Sequence, residues 1–362
     1  MLASLWYHYK LENLEPNTLR ALDKERDSIT TSEGQSYTML RAVWMNDKPV
    51  FDQTWQFTKD NLQHKNGDHL MSWLFGQKPD GTYGVIVDQG GDHTASDADS
   101  DIALALLFAS KRWNNDAYKG DALNIIKDIW TKEVVLVKGK YYLAAGDTEK
   151  IDKTKNYYVL NPSYFAPYAY RIFAEVDPAH PWLGLVDTSY EVLNRNMDSL
   201  GASSTGLPSD WLALDKRTGG IGVAPKLSSD YSFDAMRIPW RLALDREWFG
   251  SSQALDTLSK LKFLNEEWSK GKILTHYAHT GDPILEAETP AMYGGVIGYF
   301  MSGNAEQAED IYMKKLESLY DPDTFTWKDP QNYYDSNWAW FGMGLYNHLL
   351  PNLYPIGDIS TI

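Results

Sequence analysis

Apolar, aromatic-rich stretches at helical spacing alternate with polar amphipathic ones along nearly the whole chain. The apolar set is 32–45, 96–113, 161–176, 234–246, 288–301 and 333–347. The amphipathic set is 14–25, 51–63, 118–133, 184–197, 252–268 and 304–319. A helix that is apolar on all sides must be buried, and a helix with one apolar stripe packs that stripe and turns the rest to water. The apolar stretches begin roughly every 45 to 70 residues, a period at which each unit buries its apolar face only against its neighbours. A closed ring of helical hairpins meets this demand, with the apolar set inside and the amphipathic set outside. The pattern predicts one all-α toroidal domain over residues 1–362.

Local signals agree with helices. Ser32 followed by Gln35, and Ser96 followed by Asp99, have capping-box spacing ahead of apolar runs. Ile102, Leu106, Ala109 and Trp113 then recur at helical intervals. Pro162 stands near the start of "NPSYFAPYAYRIFAEV", where proline is compatible with a first turn. Only "YGVIVD" (83–88) and "KYYLAAG" (140–146) read as strands. With no cysteine there are neither disulfides nor thiolate metal sites. A net charge of −15 argues against nucleic acid and anionic membrane surfaces as partners. No run approaches the roughly 18 apolar residues of a membrane span, and "MLASLWYHYK" lacks the basic start and apolar core of a signal peptide. Aromatic residues are abundant, with 14 Trp and 23 Tyr, and such rings either pack a core or stack on sugar faces.

The stretch "ASDADSDIALALLFASKRW" (95–113) places Asp97, Asp99 and Asp101 before an apolar helix. A calcium loop would need Gly at its sixth position and Glu at its twelfth, where this chain has Ile102 and Phe108. Capping and the helix dipole account for Asp99. They do not explain why other inner helices also begin with acids beside aromatics. Glu33 opens the first apolar stretch, and Asp234 in "SSDYSFDAMRIPWR" precedes Pro239. In a ring whose inner helices run parallel, Glu33, Asp97 and Asp234 converge at one mouth. Clustered carboxylates raise one another's pKa, and a pair with one member protonated and the other ionised is the equipment for glycosidic cleavage. Metal chemistry has no comparable signal. There is no HExxH, and His276 and His279 in "HYAHTGDPILE" are an isolated pair.

These segments resemble glycoside hydrolase family 8, a group of inverting bacterial enzymes. "ASDADSDIALALLFASKRW" looks like the family signature and "TTSEGQSYTMLRAV" like its acid-bearing segment. "NPSYFAPYAYRIFA", "DAMRIPWR" and "YYDSNWAWFG" follow in the family's order, so the likeness runs over residues 6–350. The resemblance implies an (α/α)6 barrel of six inner and six outer helices. It implies Glu33 as general acid, Asp234 as general base and Asp97 as the group holding the distorted sugar. Tyr164 would lie beside base and water, with Arg237 supporting the base. Trp73, Tyr333 and Tyr334 would bind substrate. No cofactor or metal is implied. The expected partner is a β-1,4-linked polysaccharide or oligosaccharide, and the expected assembly is a monomer. The implied place of action is extracellular or at the cell surface, with an export signal or anchor lying outside the sequence as given.

Three points qualify the likeness. Phe233 stands where many members have Tyr before the base. A helix N-terminus lowers a carboxyl pKa whereas a general acid needs a raised one, so Asp97 and partial burial are expected to overrule the dipole at Glu33. Alternative substrates are xylan or xylo-oligosaccharide, chitosan, and an exopolysaccharide of the producing cell. An alternative role is a glycan-binding or biosynthesis-accessory protein with little turnover, although retention of all three acids favours the enzyme.

Overall fold

The computed structural model describes residues 1–199 and 205–356. Helix α1 (Leu2–Asn13) is followed by α2 (Ser32–Trp44), α3 (Lys48–Asn61), α4 (Ser96–Arg112) and α5 (Asp116–Lys132). The one-turn α6 (Thr148–Ile151) precedes α7 (Pro167–Val176), α8 (Trp182–Ser199) and α9 (Ile238–Phe249). Then come α10 (Ser252–Leu258), α11 (Lys262–Ser269), α12 (Pro290–Gly303), α13 (Ala305–Ile311) and α14 (Tyr333–Tyr346).

Helices α2, α4, α7, α9, α12 and α14 form the inner ring, each touching the next. The circle closes between α14 and α2, where the Tyr37 ring meets Trp338 and Phe341 edge-on at 5.7 and 5.3 Å and Arg41 bonds Asn337 at 3.0 Å. This is the expected (α/α)6 barrel. Burial follows the sequence pattern: α4 is buried from Ser96 to Ser110, whereas outer helix α5 buries only a stripe of Tyr118, Ala122, Ile125, Ile126 and Ile129. Each fully buried Leu or Ile contributes about 1.5–3 kcal/mol. Helices α12 and α14 approach closely because glycines remove the side chains between them. A Cβ on Gly294 would lie 2.0 Å from the Trp338 carbonyl.

The outer ring departs from expectation at its start. Residues 14–25 are not a helix; the outer partner is α1, whose Leu2, Leu5, Trp6, Tyr9 and Asn13 make a buried stripe. Pro16 and a left-handed Leu19 break the helical reading of 14–25. Arg20 pins that loop by bonding Glu15, the Ser28 carbonyl and Thr30. Under α1 lies Arg41, buried without a carboxylate and held over the rings of Tyr9, Trp340 and Trp6 at 4.1, 4.8 and 5.2 Å. The expected outer helix 252–268 is interrupted between α10 and α11. The stretch 304–319 continues α13 as a π turn over Tyr312–Leu316 and a 3-10 turn over Glu317–Leu319.

Among the described residues the strands are short and more numerous than the sequence predicts, in five antiparallel sheets. One sheet joins β1 (Thr30–Thr31), β2 (Leu74–Gln77) and β3 (Tyr83–Val85). A hairpin pairs β4 (Val134–Val137) with β5 (Lys140–Leu143), so the expected strand 140–146 ends early. Another sheet joins β6 (Tyr157–Leu160), β7 (Leu212–Asp215) and β8 (Ile221–Gly222). The remaining pairs are β9 (His276–Tyr277) with β10 (Pro283–Leu285), and β11 (Tyr320–Asp321) with β12 (Thr326–Trp327). Among the described residues no helix is long and apolar enough to cross a membrane.

Candidate active site

The inner helices begin at a common mouth, and the predicted acids are there. Glu33 lies in the first turn of α2 and Asp97 in the first turn of α4. Asp234 sits ahead of a 3-10 turn, Ala235–Arg237, that runs into α9. Arg237 draws them together. Its Nη1 donates to Glu33 Oε2 at 2.8 Å and to Asp97 Oδ2 at 3.2 Å, while Nη2 bonds Asp234 Oδ1 and Ser163 Oγ, the latter at 2.7 Å. Arg237 is almost wholly buried, with 1% of its side chain exposed, whereas Glu33 and Asp234 keep 23% and 28% open. One guanidinium thus bonds three carboxylates, the planar fork for which arginine is suited and lysine is not.

The surroundings separate the acids. Burial holds the Glu33 carboxyl above its ordinary range; Arg237 opposes this, and the charge of Asp234 adds to it. The dipole at the α2 N-terminus is therefore overruled mainly by burial, with Asp234 the carboxylate that assists most. Asp97 is itself pushed up to about 7, by burial first, with Arg237 opposing and Glu33 adding. Among the described residues its buried Oδ1 has no hydrogen-bond partner. Burial likewise keeps the phenols of Tyr164, Tyr333 and Tyr334 protonated.

Two cavities flank the clamp. One, about 550 Å³, is lined by Glu33, Asp234, Phe233, Tyr333 and Tyr334, with Asp23, Glu25 and Arg26 at its rim. The Tyr333 hydroxyl donates to Glu33 Oε1 at 3.3 Å, passing Gly34, where a Cβ would lie 2.8 Å from the Tyr333 hydroxyl oxygen. Tyr334 bonds the Phe233 carbonyl and meets the Phe233 ring edge-on at 5.9 Å. The other cavity, about 510 Å³, is lined by Trp73, His93, Tyr164 and Trp211. The Tyr164 ring lies 5.3 Å from the Arg237 guanidinium carbon and 5.8 Å from Trp211. Trp73 holds its indole by donating to the Gly90 carbonyl at 2.9 Å, and its own carbonyl accepts from the Ser32 amide beside Glu33. Every predicted residue therefore lines one of the cavities or joins the clamp between them. Trp73 lines a different cavity from Tyr333 and Tyr334.

Some assignments change. Thr31, not Ser32, caps α2, through Oγ1 and the Gly34 amide at 3.0 Å. Gln35 turns away to accept from the Ala21 amide and donate to Thr58. Asp99 caps nothing: it accepts from the Met71 amide at 2.9 Å, and burial beside Glu133 holds both carboxyls protonated, Glu133 up to about 8. Tyr37, whose hydroxyl accepts from Arg237 at 3.3 Å, was hidden in an apolar run. Ser163, Asp210 and Trp211 gave no periodic signal. Among the described residues no group of three His, Asp or Glu side chains is arranged to hold a metal ion.

The model of glycosyl hydrolases family 8 matches residues 3–346. The chain belongs to this family. Endoglucanase A of Acetivibrio thermocellus is 31% identical over 87% of the chain and 64% of its own length. Endoglucanase 2 of Ruminiclostridium josui is 30% identical over the whole chain and 72% of its own length. The chain thus spans about two thirds of these relatives. The crystal structure of an endo-1,4-D-glucanase from Vibrio fischeri ES114 superposes with a TM-score of 0.80 at 26% identity, covering 95% of this chain and 94% of that one. Family 8 membership is consistent with the acid-bearing mouth reached from the residues alone.

Proposed function

We propose that this family 8 chain is an inverting hydrolase of β-1,4-linked glucan, working as one catalytic domain and monomer on a polymer outside the cell. The observation that carries the reading is the pairing of a carboxyl with raised pKa, Glu33, and a second carboxylate, Asp234, on one buried arginine between two aromatic-lined cavities. Glu33 protonates the leaving oxygen, which its raised pKa suits. Asp234 takes a proton from a water attacking the opposite face of the sugar. Inversion needs the two carboxyl groups roughly 6.5–9.5 Å apart when substrate and water lie between them. The free Oδ1 of Asp97 accepts a hydroxyl of the sugar at the cleavage point and holds its distorted ring. Arg237 keeps the three acids at fixed separations and stays charged throughout. Trp73 and Trp211 offer stacking faces on one side, Phe233 and Tyr334 on the other.

The test is reducing-end release by wild type, Glu33→Gln and Asp234→Asn. The substrates are carboxymethyl-cellulose, mixed-linkage β-glucan, xylan, chitosan and an exopolysaccharide of the source strain. NMR of the first-formed anomer accompanies each assay. The reading expects activity on β-1,4-glucan, loss in both variants and an α-anomer product. Binding without turnover by wild type would instead assign an accessory role. A β-anomer product would refute inversion.

A further inference from the structure

We propose that Asp210 is a positioning residue for Asp234: its ionised carboxylate holds the backbone on both sides of the base, including the first amide of the turn, and so fixes where the base's own carboxylate stands. The proposal rests on the reading of Asp234 as base. An acid at the N-terminal edge of a helical turn ordinarily caps that turn itself, accepting from the amides two or three residues on. Asp234 occupies such a position and makes no side-chain cap bond; its Oδ1 goes to Arg237. The amides two and three residues on, of Met236 and Arg237, donate instead to the Ser232 and Asp234 carbonyls at 3.0 and 3.1 Å, and the amides flanking Phe233 and Asp234 are held from elsewhere in the chain. Asp210 Oδ1 accepts from the Ala235 amide at 2.8 Å and the Ser232 amide at 3.1 Å, and Oδ2 accepts from the Ser232 hydroxyl. Backbone on both sides of Phe233 and Asp234 is therefore held by one carboxyl group.

That group is itself fixed. The Asp210 amide donates to the Asp230 carbonyl at 2.7 Å, and the next amide, of Trp211, donates to the Ser228 carbonyl at 3.1 Å. Trp211 meets the Tyr164 ring that lies against Arg237, so the dipeptide Asp210–Trp211 braces the site from two directions. Asp210 is 3% exposed. Among the described residues its side-chain hydrogen bonds all go to the turn and none to a cation. The charged and titratable groups around it are Asp234 on the turn, Arg237 (engaged with the three acids), Asp230 (bonded to His276 at 2.9 Å), and the buried Tyr231 phenol. Burial first, and then the Asp234 charge, lift the Asp210 carboxyl to about 6. Below that pH it takes up a proton and loses part of its acceptor capacity, and the turn slackens.

The experiment measures kcat and KM on mixed-linkage β-glucan from about pH 4 to about pH 9 for wild type, Asp210→Asn, Asp210→Ala and Asp234→Asn. In Asp210→Asn the amide oxygen still accepts from the two backbone amides and the amide nitrogen can donate to Ser232, but nothing titrates. Its kcat is expected to fall about 10-fold with KM within about two-fold, and the acid limb to lose the component near the Asp210 pKa of about 6. Asp210→Ala removes those acceptors, and a base displaced by about 1 Å costs on the order of 100-fold in kcat. Circular dichroism checks the fold, and if the alanine variant does not fold the asparagine variant decides. A wild-type acid limb in Asp210→Asn, a kcat within two-fold of wild type, or an effect on KM alone would overturn the proposal. Turnover surviving in Asp234→Asn would bring down the base assignment itself, a different failure. An inactive Asp234→Asn beside an unchanged Asp210→Asn defeats only the role of Asp210.

Discussion

Arg237 allows charge and geometry to be separated in one experiment. Arg237→Met removes a buried cation that bonds Glu33, Asp97 and Asp234, and breaking one partner of a buried ion cluster costs about 3–5 kcal/mol. With about 2.1 cal/mol/K of unfolding entropy per residue, that loss lowers Tm by roughly 4–7 °C for a chain of this length. The catalytic effect has a defined sign. Arg237 opposes the rise in the Glu33 pKa, so its removal raises that pKa further. The acid then stays protonated to higher pH, and the basic limb of kcat/KM moves up. Asp97, already at about 7, moves in the same direction. Because all three acids lose their shared anchor, kcat is expected to fall about 1,000-fold or more. Arg237→Lys retains the charge but presents a single ammonium to sites on both sides of the guanidinium fork. Its basic limb should stay near the wild-type position while kcat still falls about 10- to 100-fold. The assay is reducing-end release from a soluble β-glucan across pH, with a thermal melt alongside. A basic limb that moves down in Arg237→Met, or a kcat in Arg237→Lys equal to wild type, would refute this account.

Two further outcomes are expected. Gly294→Ala places a methyl 2.0 Å from the Trp338 carbonyl, so α12 must shift away from α14; overpacking of this kind costs about 1–3 kcal/mol or more, and an unchanged denaturation midpoint would count against the close packing. Glu133 has a folded-state pKa near 8 against 4.5 for the free group, so the folded state holds the extra proton in that window and stability falls as pH rises through it. The slope is at most about 1.4 kcal/mol per pH unit, and melts of Glu133→Gln should show a flatter pH dependence than wild type.

What could be read from the sequence was set by period and chain position. Glu33, Asp97 and Asp234 were legible because each stands at the start of an apolar stretch, and a ring of parallel inner helices brings such starts together. Arg237 came with them, three residues beyond Asp234 in the same turn. Tyr37 was not legible: it lies one turn below Glu33 in a run that looks like plain core. Asp210 and Trp211 precede a short strand and obey neither helical nor strand period, so only the folded chain shows what they touch. Helix α1 is hard to see in the sequence because its apolar residues form only a stripe, Leu2, Leu5, Trp6 and Tyr9, while 14–25 carries enough alternation to imitate a helix despite Pro16. Asp99 misled for a simpler reason. An acid in a first turn looks the same whether it caps the helix or meets Glu133, and the partner lies at the far end of the next helix.

The same four-residue spacing explains why the barrel tolerates so much buried charge beneath its mouth. Glu33, Tyr37 and Arg41 descend one face of α2, Asp97 and Asp101 descend α4, and Arg237 and Arg241 descend into α9. The second layer is a closed unit: Arg241 grips Asp101 through both nitrogens at 3.0 and 2.8 Å and takes a further bond with the Tyr168 hydroxyl at 2.7 Å. Such a pair does little for stability by itself, since desolvation offsets the attraction. Its value lies in what it does not do to the layer above. Arg241 lowers the Asp97 pKa and Asp101 raises it, so the two act in opposite directions on the acid nearest them. The balance at the mouth is left to burial, Arg237 and the acids themselves. Two turns along α2 from Glu33, Arg41 is held among the described residues by aromatic faces and Asn337, and burial brings it down to about 9. A second arginine beside Glu33 would add to the lowering that Arg237 already exerts and work against the raised pKa that a general acid requires. Two turns of helix and a seat against the rings of α1 and α14 keep that cation away from the acids, which is why the polar interior and the active mouth can coexist in one ring.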